Sequence, residues 1–265
     1  MKIDLFLVRH PADRPSPVMP AMVDHLTAHG SEIRAVYPDE GDAVPDPPGD
    51  LVVLKAKTPA ALDLARRYHG LEVRCFPSYE VTVLCRDKIA TTLALRDAGV
   101  PVPQTWVVDD PGALLPHLTD GPLIVKPFQG SQGQGIVIVH QPEDLVGIDH
   151  GADPVMAQRY LEPDGLDRKI YRIGEEVFCV ERVWPPRSYE DKLGRVVPLP
   201  AAIEKVARAC GDALGIDTYG VDIIEHRGAP YVVDLSSFPG FKGVPEAGRR
   251  LAERIQREGQ VADPA

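Results

Sequence analysis

Apolar residues along the chain fall into short runs, and the spacing within each run sets the element it predicts. "IDLFLV" is a continuous apolar run, as expected of a strand buried on both faces. "SPVMPAMVDHLTAHG" repeats its apolar positions at helical spacing and predicts a helix closed by Gly30. "EIRAVYP" and "DLVVLKA" predict two further strands. "TPAALDLARRYHG" predicts a helix with Thr58 as N-cap, Pro59 in its first turn and Gly70 at its C-terminal end, and "LEVRCF" a short strand after it. Strand and helix therefore alternate over the first 80 or so residues, which implies a small lobe built on a parallel sheet.

Beyond this lobe the pattern changes. "CRDKIATTLALRDAGVPVPQTWVV" predicts a helix stopped at Gly99, a proline-stiffened turn and a strand. A hairpin follows over residues 121–139, then the segment "VMAQRYLE", then paired strands "RKIYRIG" and "EEVFCVERV" joined through Gly174. The last part predicts the helix "PAAIEKVARACGDALG", an antiparallel pair "TYGVDIIEH" and "APYVVDLSS" across Arg227 and Gly228, and an Ala/Arg-rich terminal helix.

The hairpin "IVKPFQGSQGQGIVIV" carries a glycine-rich turn behind a lysine. A Walker loop needs its lysine after the glycines and a helix next, and a dinucleotide fingerprint must also open a helix. Here Lys126 precedes Gly130, Gly133 and Gly135, and a strand follows. A flexible hairpin and a phosphate-covering hairpin both remain open on these residues alone. The last strand pair is more informative. Asp222 and Asp234 interrupt apolar runs, and a hairpin centred near residue 228 sets them nearly opposite each other. Facing carboxylates repel unless a cation lies between them. Mg²⁺ suits such a pair, since it takes one or two carboxylates and completes its shell with water and phosphate oxygens. Ser236, on the same face as Asp234, adds a hydroxyl. The plain alternative is that one aspartate is merely a strand-end residue.

Length, charge and cysteines narrow the class. The 265 residues, 44% of them hydrophobic, suffice for two or three small lobes or one larger α/β domain. The N-terminal apolar run is far shorter than the roughly 18 to 20 residues of a membrane span, so a cytoplasmic protein without a membrane partner is expected. Cys75, Cys85, Cys179 and Cys210 are scattered singly, which predicts reduced thiols and no zinc site. A net charge of −10 argues against nucleic acid as a partner. It leaves room for ATP, provided that lysines, arginines and a divalent cation gather locally.

Four segments occur here in one order: "RDKIATTLALRDAGVPVPQTW", "PLIVKPFQGSQGQGIVIV", "AQRYLE" and "YGVDIIEHRGAPYVVDLSSFPG". Together, over roughly residues 80–245, they resemble the ATP-grasp superfamily, both its RimK-type and glutathione-synthetase-like ligases and, in the C-terminal motifs, its inositol phosphate kinases. The resemblance implies an α/β fold of α+β lobes: a parallel-sheet lobe over 1–82, a central lobe over 83–160 with the glycine hairpin, a C-terminal lobe over 161–258 with the metal site, and a frayed tail over 259–265. It implies ATP and Mg²⁺, with Mn²⁺ as a substitute. Lys88 and Lys126 would contact the nucleotide phosphates, and the loop with Gly130, Ser131, Gln132, Gly133 and Gly135 would close over them. Gln158, Arg159, Tyr160 and Leu161 would form the adenine linker, with main-chain groups of Arg159 and Leu161 reading the base. Asp222, Asp234 and Ser236 would hold metal, Ser236 standing where the family usually has asparagine.

Two reactions follow from the resemblance. In a carboxylate–amine ligase, a small carboxylate attacks the γ-phosphate and an amine captures the acyl phosphate, with Arg182 nearest the developing charge and Lys169 and Arg172 as further candidates. In a kinase, a hydroxyl of an inositol phosphate or similar polyol is the acceptor, with Lys242 and Gly243 near its phosphate. Arg9, His10 and Arg14, close to a strand end, offer an anion site in the first lobe. The charge balance favours the ligase, acting on small-molecule carboxylate and amine partners, with a homo-oligomer open. A nucleotide-binding module without catalysis is the third reading.

Overall fold

The computed structural model describes residues 1–9, 16, 18–128, 135–162, 166–183 and 193–260. The first lobe folds as the alternation predicts: β1 (Lys2–Phe6), α1 (Val18–Ala28), β2 (Glu32–Val36), β3 (Leu51–Leu54), α2 (Pro59–Gly70) and β4 (Arg74–Phe76). The four strands are parallel in the order β2-β1-β3-β4. A parallel sheet needs both faces covered. Phe6, Val52 and Leu54 face Leu64 and Tyr68 of α2, whereas Ile3, Leu5, Leu51 and Val53 face Met22 of α1 together with Leu251 and Ile255 of the terminal helix. Asp4, fully buried among the apolar strands, is satisfied by Arg34 Nε at 2.6 Å, Tyr68 Oη at 2.7 Å and the Gly49 N–H at 2.8 Å. It is therefore a structural carboxylate. Thr58 caps α2, its hydroxyl accepting from the Ala61 N–H at 3.2 Å.

Two helices follow, α3 (Tyr79–Leu84) and α4 (Lys88–Asp97). The pattern missed α3, because six residues are too few to show a period; its signal is Ser78, which caps it through the Val81 N–H at 3.2 Å. Asp87 caps α4 in the same way through Ala90 at 2.8 Å, and Gly99 turns the chain out of it at φ 77°. The central sheet is antiparallel, with β5 (Thr105–Val108), β6 (Leu123–Lys126), β7 (Val137–Val139) and β8 (Val155–Arg159) in the order β5-β8-β6-β7. Leu123, Val125, Val139 and Ala157 pack on Leu114 and Leu145 from two 3-10 turns.

The third sheet contains β9 (Leu166–Ile173), β10 (Glu176–Val183), β11 (Arg195–Val197), β12 (Thr218–His226) and β13 (Ala229–Ser237), in the order β11-β10-β9-β12-β13. One face of it packs on α5 (Ala201–Leu214) and on Leu95 of α4. On the other face Tyr171, Ile173 and Val180 meet Phe238, Phe241 and α6 (Ala247–Gln260), in a core continuous with that of the first lobe. Helix α6 runs two residues into the segment expected to fray.

Candidate active site

The apolar face that joins the third sheet to the first lobe turns polar at one end. There Lys169 of β9 pairs across the ladder with Asp222 of β12, and Asp222 with Asp234 of β13. The facing of the two aspartates depends on an irregularity. Arg227 and Gly228 form a two-residue turn with φ of 54° and 78°, the left-handed conformation such hairpins require. Unbroken pairing from His226 and Ala229 would set Asp222 against Val233. A β-bulge between Ile223 and Asp222 leaves Val233 unpaired and brings Asp234 opposite Asp222 instead.

Basic groups close on this pair from three elements. Lys169 Nζ donates to Asp222 Oδ1 at 2.6 Å, and Arg182 of β10 lies 3.6 Å from the same oxygen. Lys88, the first residue of α4, donates to Asp234 Oδ1 at 2.5 Å. Burial works to raise the Asp222 carboxyl, but Lys169 and Arg182 outweigh it and hold its pKa below the usual carboxylate range. Lys126, at the end of β6, is buried and donates to Gln158 Oε1 at 2.7 Å and to the Val233 carbonyl at 2.8 Å. The bulge thus also supplies an acceptor for this lysine. Burial brings the Lys126 pKa down to about 8, against the pull of Asp234.

The linker residues divide in a way that spacing could not show. Gln158 is buried and faces Lys126 and the Thr105 hydroxyl, the latter at 3.2 Å, so its amide holds the lysine. The Arg159 N–H donates to the Gln104 carbonyl at 2.8 Å and the Tyr160 N–H to the Pro122 carbonyl at 3.0 Å. The Arg159 guanidinium is spent on the carbonyls of His117, Gly121 and Pro122 and lies over Trp106. Leu161 follows directly, and its N–H makes no hydrogen bond among the described residues.

The remaining expected residues are placed as follows. Gly135, at φ 73°, leaves room for Pro127, which a Cβ would approach to 2.8 Å. Gly130, Ser131, Gln132, Gly133, His10 and Arg14 lie outside the described residues. Arg9 pairs with Glu40 at 2.5 Å and stacks over Tyr37, on the surface of the first lobe. Arg172 is buried and donates to the Gly174 carbonyl at 2.8 Å, within a turn. A Cβ on Gly243 would approach Val180 to 2.9 Å, so that glycine serves packing. All four cysteines are free, and burial raises their thiol pKa values, that of Cys85 to about 11.

Ser236 meets a lysine from the first lobe. Its Oγ accepts from Lys57 Nζ at 3.0 Å, and Lys57 also donates to the Ser237 carbonyl. Lys55 Nζ donates to the carbonyls of Phe238 at 3.2 Å and Pro239 at 3.1 Å. Neither lysine belongs to a motif in the sequence. Their only signal is position, two basic residues directly after a wholly apolar parallel strand, at the edge where such sheets bind ligands.

Whether a divalent cation fits can be judged from the donors. Lys169 and Lys88 each occupy one site on Oδ1 of their aspartate, which leaves Asp222 and Asp234 acceptor capacity with which they would hold a cation. Among the described residues no group of three or more His, Cys, Asp or Glu side chains is arranged to hold a metal. Two carboxylates with water and phosphate oxygens suit Mg²⁺, which seldom occupies an all-protein cage.

Residues 85–258 match the model of the RimK-like ATP-grasp domain. The chain belongs to the RimK-like ATP-grasp family. A probable alpha-L-glutamate ligase from Serratia proteamaculans is 28% identical over an alignment of 194 positions that covers 66% of this chain and 65% of that protein. The match thus spans just under two thirds of that relative. The RimK domain ATP-grasp protein of Sphaerobacter thermophilus superposes with a TM-score of 0.78 at 18% identity, covering 96% of this chain and 99% of that one. The D-alanine–D-alanine ligase of Bacillus anthracis superposes at 0.70 and 18% identity, over 98% and 97%. At such identities the likeness is one of fold. No helix among the described residues is long and apolar enough to cross a membrane.

Proposed function

We propose that this RimK-like protein is an ATP- and Mg²⁺-dependent carboxylate–amine ligase that works through an acyl phosphate on small carboxylate and amine substrates. The observation that carries the reading is the convergence of Lys88, Lys169 and Arg182 on the paired carboxylates Asp222 and Asp234, with buried Lys126 held beside them on the Val233 carbonyl. Phosphoryl transfer to a carboxylate brings several anions together, and the protein's part is to place them in line and offset their charge. Lys88 and Lys126 hold the nucleotide phosphates from α4 and β6. The Leu161 N–H is the linker group free to meet the base edge. Arg182 faces the charge that develops on the acyl group, and Lys169 keeps Asp222 ionised and aimed. Asp222 and Asp234 would hold a divalent cation, which would supply further charge neutralisation to the phosphates.

ATP consumption with Mg²⁺ against pooled amino acids, short peptides and inositol phosphates, with product masses recorded, tests this directly. A condensed product one water lighter than its parts, with ADP and phosphate released, is expected. A product heavier by one phosphoryl group would replace the ligase with a kinase, and the absence of any turnover would leave a nucleotide-binding module.

A further inference from the structure

The strand order of the first sheet reverses between β1 and β3. In open parallel sheets the crevice outside the carboxyl ends at such a reversal is where ligands settle. Lys55 and Lys57 stand at that edge, just past the end of β3, and are only partly covered. Their ammonium groups cross to the segment after Asp234, where they meet one hydroxyl and three carbonyls: Ser236 Oγ, and the carbonyls of Ser237, Phe238 and Pro239. Neither makes an ion pair among the described residues. Lys242 lies close enough to Lys55, and Arg86 to Lys57, to add like charge. Neutral acceptors satisfy N–H donors without balancing charge, and partly buried ammonium groups side by side are costly unless an anion joins them. A chain with ten more acidic than basic side chains has carboxylates in plenty. Of the described ones, Asp234 lies near enough to Lys57 to oppose its charge in part, but none forms an ion pair with either lysine.

We propose that Lys55 and Lys57 form the seat of the anionic group of the acyl substrate, a carboxylate or a phosphate, next to the phosphate-handling groups. Ser236 ties the two places together, since it touches Lys57 and lies two residues from Asp234 on the same strand face. Naming the anion as the acyl substrate's rests on the ligase reading; the anion site itself does not.

Calorimetric titration of the full chain with malonate, acetate and inorganic phosphate, in the presence of ADP and Mg²⁺ to fill the nucleotide site, tests the proposal. Saturable binding of malonate or phosphate is expected, weakened by about tenfold or more in Lys55→Met and in Lys57→Met while ADP affinity is kept. Preference for malonate would assign a carboxylate, and preference for phosphate a phosphoryl group. A second measurement needs no variant: malonate or phosphate should slow acetylation of Lys55 and Lys57 by acetic anhydride, read by mass spectrometry, and leave exposed Lys2 unaffected. Absence of anion binding to the wild type, equal affinity in folded variants, or unchanged acetylation rates would overturn the proposal. Both measurements are independent of turnover, so loss of the ligase reading and loss of this site are separate results.

Discussion

Burial brings the Lys126 pKa to about 8, so its side chain passes from ammonium to neutral amine as pH rises through that value. The kcat/KM for ATP reports free-enzyme ionisations, and it is expected to fall as pH rises through about 8. In Lys126→Arg, whose charge persists across this range, that limb should flatten. Lys126→Ala and Asp234→Asn should each abolish ATP turnover in a protein with an unchanged circular dichroism spectrum; full activity in either would remove these residues from the site. Gln158 acts through Lys126, accepting from it at 2.7 Å. Losing a hydrogen bond to a charged group costs about 1.5–3 kcal/mol, so Gln158→Leu should raise the KM for ATP roughly tenfold and shift the basic limb of the pH profile. A kcat change at constant KM and an unmoved limb would contradict the positioning role.

At the scale of the element, the β12–β13 hairpin shows what the sequence reveals and what it hides. Its turn is legible, because Arg-Gly between two β-branched runs demands a tight reversal. Centring the hairpin on residue 228 finds the correct partner for Asp222, yet the turn is really centred between Arg227 and Gly228, and the bulge at Val233 makes up the difference. No residue type there announces a bulge, since an extra valine in a strand looks like any other. Gly220 is a second hidden feature of this ladder. A Cβ at that position would lie 2.8 Å from Pro239 Cγ and 3.2 Å from Lys169 Cε. Overpacking of this kind costs typically about 1–3 kcal/mol. Gly220→Ala should therefore lower the denaturation midpoint and, by displacing Lys169, reduce turnover more than ATP binding. A variant with wild-type stability and kinetics would show that the loop bearing Pro239 yields freely.

At the scale of the whole molecule, the lobes are legible as segments and illegible as partners. Short apolar runs and helical spacing mark the parallel sheet, the central hairpin and the last strand pair, because each reflects local burial. What those faces bury against is set by contacts between residues far apart in the chain. This is why Lys55 and Lys57 pass unnoticed in the sequence: their meaning depends on residues 236–239 lying across the junction. The same junction has a mechanical consequence. Leu251 and Ile255 of α6 are fully buried in a core that also contains Ile3, Leu51, Tyr171 and Phe238, so one helix closes the first and third sheets together. Truncating a buried leucine to alanine costs about 2–5 kcal/mol. Because the core is shared, Leu251→Ala should shift the unfolding of both sheets as one transition, with the near-ultraviolet dichroism of Tyr68 and Tyr171 environments changing in step with the far-ultraviolet signal. Two separated transitions, with the first lobe melting ahead of the rest, would show instead that α6 belongs energetically to only one of them, and that the Lys55 and Lys57 contacts are a hinge between independent bodies.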